Sequence, residues 1–459
     1  MATIRTINPA TGAELGTFEE DDELYVESKL SAAELAVTAL AEAGWHARAT
    51  WMRAAADLLD AETEEVAAAV TAEMGKPIVQ ARQEVSKSAR AMRFYADNAE
   101  AFLAPQSLED PAVVGASSAG ARYEPLGVVL AVMPWNYPIW QVVRFAAPAL
   151  MAGNAGLLKH ASIVPRSALY LGELFQRAGF PEGSFSTLLI GSSRVEAIVR
   201  DPRVAAVTLT GSEGAGRAVA RAAGDSLKKV VLELGGSDPF VVMPSADLET
   251  AVRTAVSART SNNGQACINA KRFIVHKDVY DAFTIAFAEQ MEALVVGDPT
   301  EESTQIGPLA SEPGLRDIEE LVEDARAKGA EILTGGERRT GRGWFYPPTV
   351  VTAITPQMRL FAEEAFGPVA ALYKVSSLDE ALQVANVLDF GLGSAFWSTD
   401  PTEIDTAIRG IESGAIFING MTISYPELPF GGIKRSGFGR ELSAEGIREF
   451  CNLKTVWVA

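Results

Sequence analysis

Short apolar runs alternate with longer helical stretches from residue 127 onward, and this alternation limits the fold more than any other feature of the chain. Strand-like runs separated by helical segments are the sequence form of a doubly wound α/β domain with a parallel sheet. A second alternating series, from 240 to 418, predicts a second α/β domain. The strand-like runs of the first series are 128–132, 156–159, 186–189, 205–209 and 229–234.

The segment before these runs is predicted to be helical from residue 22 to residue 104. Trp51, Ala55, Leu58 and Leu59 recur at helical spacing, and Gly75-Lys76-Pro77 interrupts the pattern. We therefore expect a scaffold of about three helices. A chain of 459 residues with 48% hydrophobic content has enough material for two or three domains.

The charge and the cysteine content exclude several classes of protein. Forty Lys and Arg residues against 59 Asp and Glu give a net charge of −19, which repels nucleic acid and anionic membrane surfaces. The chain has no apolar run of about 18 residues and no secretory signal, so a soluble, cytoplasmic protein is expected. Two cysteines, Cys267 and Cys451, and three histidines offer neither a disulfide framework nor a metal-binding cluster.

Four polar clusters follow strands of the first series, each at the point where a strand ends. In a doubly wound sheet the ligand lies outside the carboxyl ends of the strands. We therefore expect the four clusters to converge on one site. They are Pro134-Trp135-Asn136, Lys159-His160-Ala161-Ser162, Thr210-Gly211-Ser212 and Glu233-Leu234-Gly235.

Cys267 follows a small, flexible run at 262–265 and precedes a strand-like run at 272–275. The thiolate is the nucleophilic form of cysteine, so a reactive cysteine is expected to have backbone donors or positive charge that lower its pKa. Taken alone, a single cysteine is more often a small buried hydrophobe. The residues around Cys267 therefore allow both interpretations.

A longer pattern distinguishes them. Glu233 ends an apolar run and precedes Cys267 by 34 residues (267 − 233 = 34). These two stretches, together with Pro134-Trp135-Asn136-Tyr137-Pro138, resemble the aldehyde dehydrogenase superfamily in order and spacing. The resemblance extends from Asn8-Pro9-Ala10-Thr11-Gly12 to the segment 429–437 and so covers nearly the whole chain.

The resemblance implies roles for three catalytic residues. Cys267 would be the nucleophile that forms a thioester, and Asn136 with the backbone N–H of Cys267 would hold the oxyanion. Glu233 would be the general base that activates water for hydrolysis of the thioester. The residues alone leave open that Asn136 caps its own turn and that Glu233 is a solvent-facing acid at a strand end.

The resemblance also implies a nicotinamide cofactor. The common G-x-G-x-x-G fingerprint is missing after the first strand, and the family's glycine pair, Gly211 and Gly216, is expected to open a helix that faces a phosphate. By itself this glycine cluster is weak evidence, because a glycine-rich turn between a strand and a helix is more often merely a tight turn. Lys159 and Ser162 are expected at the adenosine ribose. The other implied cofactor-binding residues are Trp135, Ser212, Leu234, Glu364 and Phe366.

Ser162 bears on the choice between the two nicotinamide nucleotides. Many NAD-preferring relatives have Glu at the matching position, which repels a 2′-phosphate, whereas Ser is small, neutral and able to donate a hydrogen bond. With Lys159 nearby, NADP is favoured and NAD is expected to be accepted less well. The alternative is that Ser162 caps the helix that Pro165 helps to begin.

Arg144 is the candidate substrate-binding residue. It lies eight residues after Asn136, and a guanidinium can bind a carboxylate through two hydrogen bonds. A matching Arg binds the distal carboxylate in the succinate-semialdehyde dehydrogenase subgroup, which the chain also resembles. One departure is Ser261, where the family has another arginine six residues before the nucleophile. Oxidation of succinate semialdehyde is therefore expected. The alternatives are another aliphatic or ω-carboxylated aldehyde, or a catalytically silent member.

The resemblance implies a division of the chain into three parts. Residues 1–106 and 124–234 would form the dinucleotide-binding domain, and residues 235–430 the catalytic domain. Residues 107–123 and 447–459 would form a small β oligomerisation arm, with 431–446 packed back on the cofactor domain. The apolar end of the chain would otherwise be an exposed strand, so a homodimer or homotetramer is expected.

Overall fold

The computed structural model describes residues 2–459 and has the α/β fold that the sequence predicts, with two mainly parallel sheets. The strands, in chain order, are β1 Thr3–Ile7, β2 Glu14–Glu19, β3 Gln106–Ser107, β4 Ser118–Pro125, β5 Val128–Met133, β6 Ala155–His160, β7 Phe185–Thr187, β8 Val204–Thr210, β9 Lys229–Glu233, β10 Asp238–Val242, β11 Ala270–His276, β12 Glu331–Thr334, β13 Thr349–Thr352, β14 Val369–Val375, β15 Phe390–Gly391, β16 Ala395–Trp397, β17 Phe417–Ile418, β18 Ile433–Lys434, β19 Gly437–Phe438 and β20 Cys451–Val458. The helices are α1 Glu23–Ala61, α2 Thr63–Met74, α3 Ile78–Phe102, α4 Trp140–Ala152, α5 Pro165–Arg177, α6 Val195–Arg200, α7 Glu213–Asp225, α8 Leu248–Thr260, α9 Lys277–Glu292, α10 Glu312–Ala327, α11 Arg359–Ala362, α12 Leu378–Asn386, α13 Pro401–Gly410 and α14 Ser443–Glu449.

The first sheet has the strand order β19-β9-β8-β5-β6-β7 and is parallel except at β19. Its central strands are buried on both faces, which is why they read as nearly continuous apolar runs. Val129 and Ala131 of β5 pack into the core that contains the long helices, whereas Leu130 packs into the core on the other face. Every residue of this strand therefore packs into one of the two cores.

The connections of this sheet place a crevice beside β5. The chain runs from β5 outward through β6 to β7, and then returns to place β8 on the other side of β5. Ligands bind at such a reversal of strand order, outside the carboxyl ends of the strands. The segments that leave β5, β8 and β9 at this edge are the polar clusters at 134–136, 210–212 and 233–235.

Three long helices, α1 to α3, form the scaffold before the sheet, as the spacing predicts. Asp22 caps α1 by accepting a hydrogen bond from the N–H of Tyr25 at 2.8 Å. Gly75 ends α2 in the left-handed conformation, with φ of 77°. Pro77 then stands at the N-cap of α3, so the break falls where Gly75-Lys76-Pro77 predicts it.

The second sheet has the order β12-β13-β14-β11-β10-β16-β17 and is parallel except for the pair β12 and β13. Helices α8 and α9 pack against one of its faces, where Phe273, Phe283 and Phe287 form part of a buried aromatic cluster. The loop that carries Cys267 joins α8 to β11. This sheet thereby holds the thiol against the edge of the first one.

The remaining segments form a ribbon and a return to the first sheet. Strand β20 pairs antiparallel with β4 along its whole length, and β3 flanks β4. Strand β19 pairs with β9, with Gly437 opposite Glu233, so residues 431–446 contact the first sheet. The division at residue 234 and the arm stay predictions. All strands of the second large sheet follow that residue, but β19 of the first sheet follows it as well. Within residues 2–459, no helix is long and apolar enough to cross a membrane.

Candidate active site

Cys267 lies between a 3-10 turn, Ser261–Gly264, and the start of β11. The chain reverses sharply here, because Asn262 and Asn263 have φ of 55° and 57°, a left-handed conformation that Asn tolerates better than most residues. Gly264 follows with φ of 74°, and a Cβ at that position would collide with the backbone of Gly367. The small residues before Cys267 are thus required by a tight reversal.

Two polar side chains fix the backbone around the thiol. Asn269 accepts a hydrogen bond from the N–H of Ala266 at 2.7 Å and donates to the carbonyl of Ala258 at 2.8 Å. Lys271 Nζ donates to the carbonyl of Ala266 at 3.0 Å and also to that of Cys267. Because the backbone is held on both sides of Sγ, the thiol has a defined position before a substrate binds.

Cys267 lines two cavities, which we name after one residue of each. The Arg144 cavity has a volume of about 250 Å³, and the Glu233 cavity about 290 Å³. Cys267 and Gln141 are the two residues that line both. The other side chains of the Arg144 cavity include Lys87, Tyr137, Trp140, Ser261, Ser424 and Phe430. Those of the Glu233 cavity include Trp135, Asn136, Ser212, Leu234, Glu364 and Phe366.

Glu233 ends β9 and is 2% exposed. Neither oxygen of its carboxyl group has a hydrogen-bond partner in the described part of the chain. Burial, and then the neighbouring Glu441, raise the pKa of Glu233 well above its usual range, while Arg144 and Arg440 oppose this rise. Glu233 is therefore a buried acid in a cavity, not the solvent-facing group that a strand end also allows.

The pKa of the Cys267 thiol is raised to about 12, which differs from the lowered value expected of a reactive cysteine. Burial is the main cause, and Arg144 and Lys271 only partly offset it. In the free protein the group is thus a neutral thiol near neutral pH. A nucleophilic thiolate at this position needs a proton acceptor or added positive charge when the ligands bind.

Asn136 is 3% exposed and sits in the turn after β5. Its Nδ2 donates to the carbonyl of Gln265 at 2.9 Å, and its own backbone carbonyl accepts from Asn262 at 2.8 Å. A side-chain amide nitrogen has two hydrogens, so one remains for a ligand after the bond to Gln265. The amide is therefore tied to the Cys267 loop and still able to donate.

Glu84 of α3 holds the turn that carries Asn136, although no local sequence pattern indicates this role. One oxygen of its carboxylate accepts from the N–H groups of Ile139 at 2.8 Å and Trp140 at 2.9 Å, which are the first amides of α4. The other oxygen pairs with Lys76, whose side chain is completely buried. A carboxylate at a helix N-terminus is favourable because the amides there have no partner in the helix.

Glu364 and Phe366 line the Glu233 cavity from the second half of the chain. Glu364 forms a salt bridge with Lys271, with 3.0 Å between Oε1 and Nζ, and this pair connects Glu364 to the Cys267 loop. The ring of Phe366 lies edge-on to Trp135, with centroids 5.7 Å apart. A Cβ at Gly235 would collide with the Glu364 carboxylate, so the glycine allows the acid into the cavity.

The glycine cluster after β8 separates into two roles. Gly211 and Ser212 line the Glu233 cavity, and Ser212 caps α7 by accepting from the N–H of Ala215 at 3.4 Å. Gly216 lies within α7 and outside the cavity, where a Cβ would come within 2.6 Å of Leu234 Cδ2. Its observed effect is close packing of the helix on the sheet, and a contact to phosphate stays a prediction.

Lys159 and Ser162 lie outside the lining of the Glu233 cavity, further along the same sheet edge. Lys159 is the penultimate residue of β6 and pairs with Val132 of β5; burial lowers its pKa, and Glu20 partly offsets this fall. Ser162 is exposed and does not cap α5, because the N-cap is Val164 without a side-chain hydrogen bond. The capping alternative for Ser162 is therefore not what the structure has.

Arg144 lines the other cavity and already has a counter-ion. Its guanidinium pairs with Glu441, donates to Thr210 Oγ1 at 3.3 Å and lies 4.6 Å from the centroid of the Phe430 ring. Both members of the ion pair are nearly inaccessible, at 2% and 4% side-chain exposure. Its charge is thus shared between the protein and any ligand in the cavity.

The structure brings most of the predicted site residues together around Cys267 and adds four that the sequence did not reveal. These are Glu84, Lys87, Lys271 and Glu441. Lys271 has a signal in the sequence, because it and Arg272 are charged residues near the start of a completely buried strand. The other three come from α3 and from the segment before α14, and nothing local marks them as part of a site.

Comparisons with known proteins agree with this geometry. Residues 1–456 match the sequence model described as "Aldehyde dehydrogenase family". A protein of Mycobacterium tuberculosis H37Rv named succinate-semialdehyde dehydrogenase (NADP+) 1 is 58% identical, over 99% of this chain and 100% of that one. A protein of the same name from Mycobacterium ulcerans Agy99 is 59% identical, over 99% of each chain.

A solved structure gives the same result. The succinic semialdehyde dehydrogenase of Streptococcus pyogenes, in complex with NADP+ as the cofactor, superposes with a TM-score of 0.96 at 37% identity, over 99% of each chain. The match of sequence model, full-length relatives and fold places the protein in the aldehyde dehydrogenase family.

Proposed function

We propose that this protein oxidises succinate semialdehyde to succinate with NADP+, through a thioester on Cys267. One observation carries the proposal: a single cysteine lies where a cavity that contains buried carboxyl groups meets a cavity that contains two cations. The relatives named above support it, because their names state this substrate and this cofactor.

The Glu233 cavity fits a nicotinamide nucleotide. It combines flat rings, a glycine backbone at Gly235 where a side chain has no room, and the capped start of α7. Glu233 also presents a carboxyl group without any protein partner. When bound there, NADP+ supplies the acceptor for the hydride that the aldehyde carbon loses.

Lys159 and Ser162 support NADP+ over NAD+. Lys159 forms no ion pair with another described residue, and Ser162 is exposed and neutral beside it. A 2′-phosphate needs positive charge and a hydrogen-bond donor, and these two side chains supply both. NAD+ is expected to be accepted less well.

Cys267 and Asn136 carry the first half of the reaction. Addition of Sγ to the aldehyde carbon places negative charge on the former carbonyl oxygen. The free N–H of the Asn136 amide donates to that oxygen, together with the backbone N–H of Cys267. Because Asn136 is fixed by Gln265 and Asn262, it needs little rearrangement to do so.

Glu233 carries the second half. The thioester on Cys267 is hydrolysed by water, and a carboxylate within the cavity takes a proton from that water. A raised pKa makes Glu233 a stronger base than an exposed glutamate once it is ionised, and brings its titration closer to neutral pH. The same carboxyl group is protonated at low pH, so hydrolysis should slow as the pH falls.

The Arg144 cavity fits a short aldehyde that carries a carboxylate. Its volume of about 250 Å³ is small, and apolar groups of Trp140, Ile268 and Phe430 line it beside Arg144 and Lys87. Apolar walls suit a short methylene chain, and the cations suit its charged end.

Steady-state kinetics with two aldehydes and two cofactors test the proposal. Succinate semialdehyde and butanal have four carbons each and differ at the end distant from the aldehyde. We expect kcat/KM to favour succinate semialdehyde by at least about tenfold, roughly 1.4 kcal/mol, and NADP+ over NAD+. Equal values for the two aldehydes, or no aldehyde-dependent NADPH, would refute it.

We also propose that the chain forms a homo-oligomer in the cytoplasm. Strand β20 is an outer strand of its small sheet, and its side chains include exposed Leu453 and Trp457, at 52% and 51% exposure. Apolar side chains on an edge strand are usually covered by another chain. Sedimentation of the purified protein tests this, and a monomer at micromolar concentration would contradict it.

A further inference from the structure

Lys87, on α3, lines the Arg144 cavity together with Cys267. Its Nζ donates to Ser424 Oγ at 2.9 Å and lies 4.2 Å from the centroid of the Trp140 ring. The side chain is partly buried, and the positive charge is directed to the cavity wall formed by Trp140 and Ser424. An ammonium group has three N–H donors, so this environment leaves part of it unsatisfied.

No carboxylate in residues 2–459 forms an ion pair with Lys87, although Glu84 is close enough to raise its pKa. The neighbouring Glu84 uses one oxygen for Lys76 and the other for the amides at the start of α4. Arg144, the other cation of the cavity, is paired with Glu441. The cavity therefore contains one cation with an internal partner and one without.

Ser424 adds a donor beside this cation. Its Oγ, which is buried, accepts from Lys87 Nζ at 2.9 Å and from Trp140 Nε1 at 3.1 Å. Both lone pairs of the hydroxyl are then occupied, so its own hydrogen has to point to a different acceptor. An anion next to Lys87 would receive that hydrogen bond as well as the charge.

We propose that Lys87 binds the carboxylate of the substrate and thereby selects carboxylated aldehydes over uncharged ones of the same length. The proposal rests on the proposed function, since it names the residue that recognises the distal group of the same substrate. Arg144 supports the carboxylate from the neighbouring wall, but its charge is already shared with Glu441. Lys87 is the cation of this cavity that has no ion pair within the described part of the chain.

The titration of Lys87 gives this contact a pH dependence. Burial, and after it the nearby positive charges of Arg144, Arg90 and Lys76, lower the pKa of Lys87 to about 7, although Glu84 opposes this fall. Below this pKa the group is charged and binds an anion; above it the group is neutral. A bound carboxylate favours the charged form, so binding above neutral pH should take up a proton.

The first experiment compares two substrates across three variants. Lys87→Met should lower kcat/KM for succinate semialdehyde about ten- to hundred-fold, the range for loss of a charged hydrogen bond, and leave butanal within about threefold. Lys87→Arg keeps the charge and should retain most of the preference. Arg90→Met is the matched control, because Arg90 is on the same helix, pairs with Glu427 and lies outside the cavity lining.

The second experiment measures binding without turnover. The Kd of the product succinate is determined by calorimetry between about pH 7 and pH 9.5, a range in which both of its carboxylates are ionised. We expect the affinity of the wild type to fall steadily over this range. Lys87→Met should bind weakly with no slope, and Lys87→Arg should bind tightly with no slope, because Arg stays charged.

The outcomes separate this inference from the proposed function. A wild type that prefers succinate semialdehyde, with a Lys87→Met variant that loses both aldehydes equally, overturns the role of Lys87 alone. Persistence of the pH slope in folded Lys87→Met assigns the titration to another group and also overturns it. A wild type without preference between the two aldehydes refutes the proposed function itself.

Discussion

The two cavities that meet at Cys267 differ in the charged groups that they offer a ligand. The Glu233 cavity is lined by the carboxyl groups of Glu233 and Glu364. The Arg144 cavity is lined by the cations Arg144 and Lys87 and by Glu84, whose carboxylate is already engaged by Lys76 and by two amides of α4. A nicotinamide ring is cationic in its oxidised form, and the proposed aldehyde carries an anion. Each cavity thus has the charge opposite to its proposed ligand, and the thiol lies where the two fields meet.

Charged groups on the two sides of the thiol act on its titration in opposite directions. Glu364 and Glu233 raise the pKa of Cys267 from one side, while Arg144 and Lys271 lower it from the other, and burial dominates both. Binding of a cationic ring beside the carboxyl groups would remove part of the opposing charge. The thiolate is therefore expected to form more readily in the complex with the oxidised cofactor than in the free protein.

Removal of the cysteine that lines both cavities should have the largest effect. Cys267→Ser should abolish aldehyde oxidation, because an unactivated hydroxyl is a far poorer nucleophile near neutral pH. Binding of NADP+, followed by fluorescence or calorimetry, should survive. Wild-type turnover in this variant would mean that Cys267 is not the nucleophile.

The next effect concerns the carboxyl side. Glu233→Gln should lower steady-state turnover by about 10²- to 10⁴-fold while a first burst of NADPH remains, because the thioester forms but is hydrolysed slowly. The rise of wild-type turnover with pH should also disappear, since it reports ionisation of a group whose pKa is well above the usual range. Loss of the burst would instead assign Glu233 to activation of the thiol.

On the cationic side, Arg144→Met should lower kcat/KM about ten- to hundred-fold more for succinate semialdehyde than for butanal. It should also destabilise the fold by about 3–5 kcal/mol, because the buried carboxyl groups of Glu441 and Glu233 lose their common cation. The double variant Arg144→Met/Glu441→Gln should recover much of that stability but not the substrate preference. An equal loss on both aldehydes would make Arg144 a purely structural cation.

The smallest effect should come from a change at Ser162, which lies outside the lining of the Glu233 cavity but along the same sheet edge. Ser162→Glu should lower the ratio of kcat/KM for NADP+ over NAD+ by at least tenfold, about 1.4 kcal/mol. Because Ser162 is exposed and caps no helix, thermal stability should stay unchanged. An unchanged ratio would show that cofactor choice is determined elsewhere.

The sequence predicted the part of the site that is local in the chain. The segments after β5, β8 and β9 were found because a parallel sheet must bring its carboxyl ends to one edge, and the family resemblance assigned Cys267 and Glu364. The two α/β sheets were predicted from the alternation of short apolar runs with helical stretches, because strands and helices have different periodicity.

The remaining residues depend on how helices cross, which local patterns do not determine. Lys87 and Cys267 line one cavity although they are 180 residues apart (267 − 87 = 180). Glu84 lies on the same helix as Lys87, and its buried carboxylate accepts hydrogen bonds from two amides at the start of α4. The raised pKa of Cys267 also could not be predicted, because burial and charge at the thiol come from both large sheets.

The separate cavities around Cys267 have a consequence for the order of ligand addition. In the proposed arrangement the aldehyde would occupy the Arg144 cavity and the cofactor the Glu233 cavity, which share only Cys267 and Gln141 among the described lining residues, so neither ligand would have to pass through the site of the other. The reduced cofactor would then be free to leave while the acyl group is still attached to sulfur. Because Glu233 lines the cavity of the cofactor, its carboxylate would face the water that replaces the nucleotide and hydrolyses the thioester.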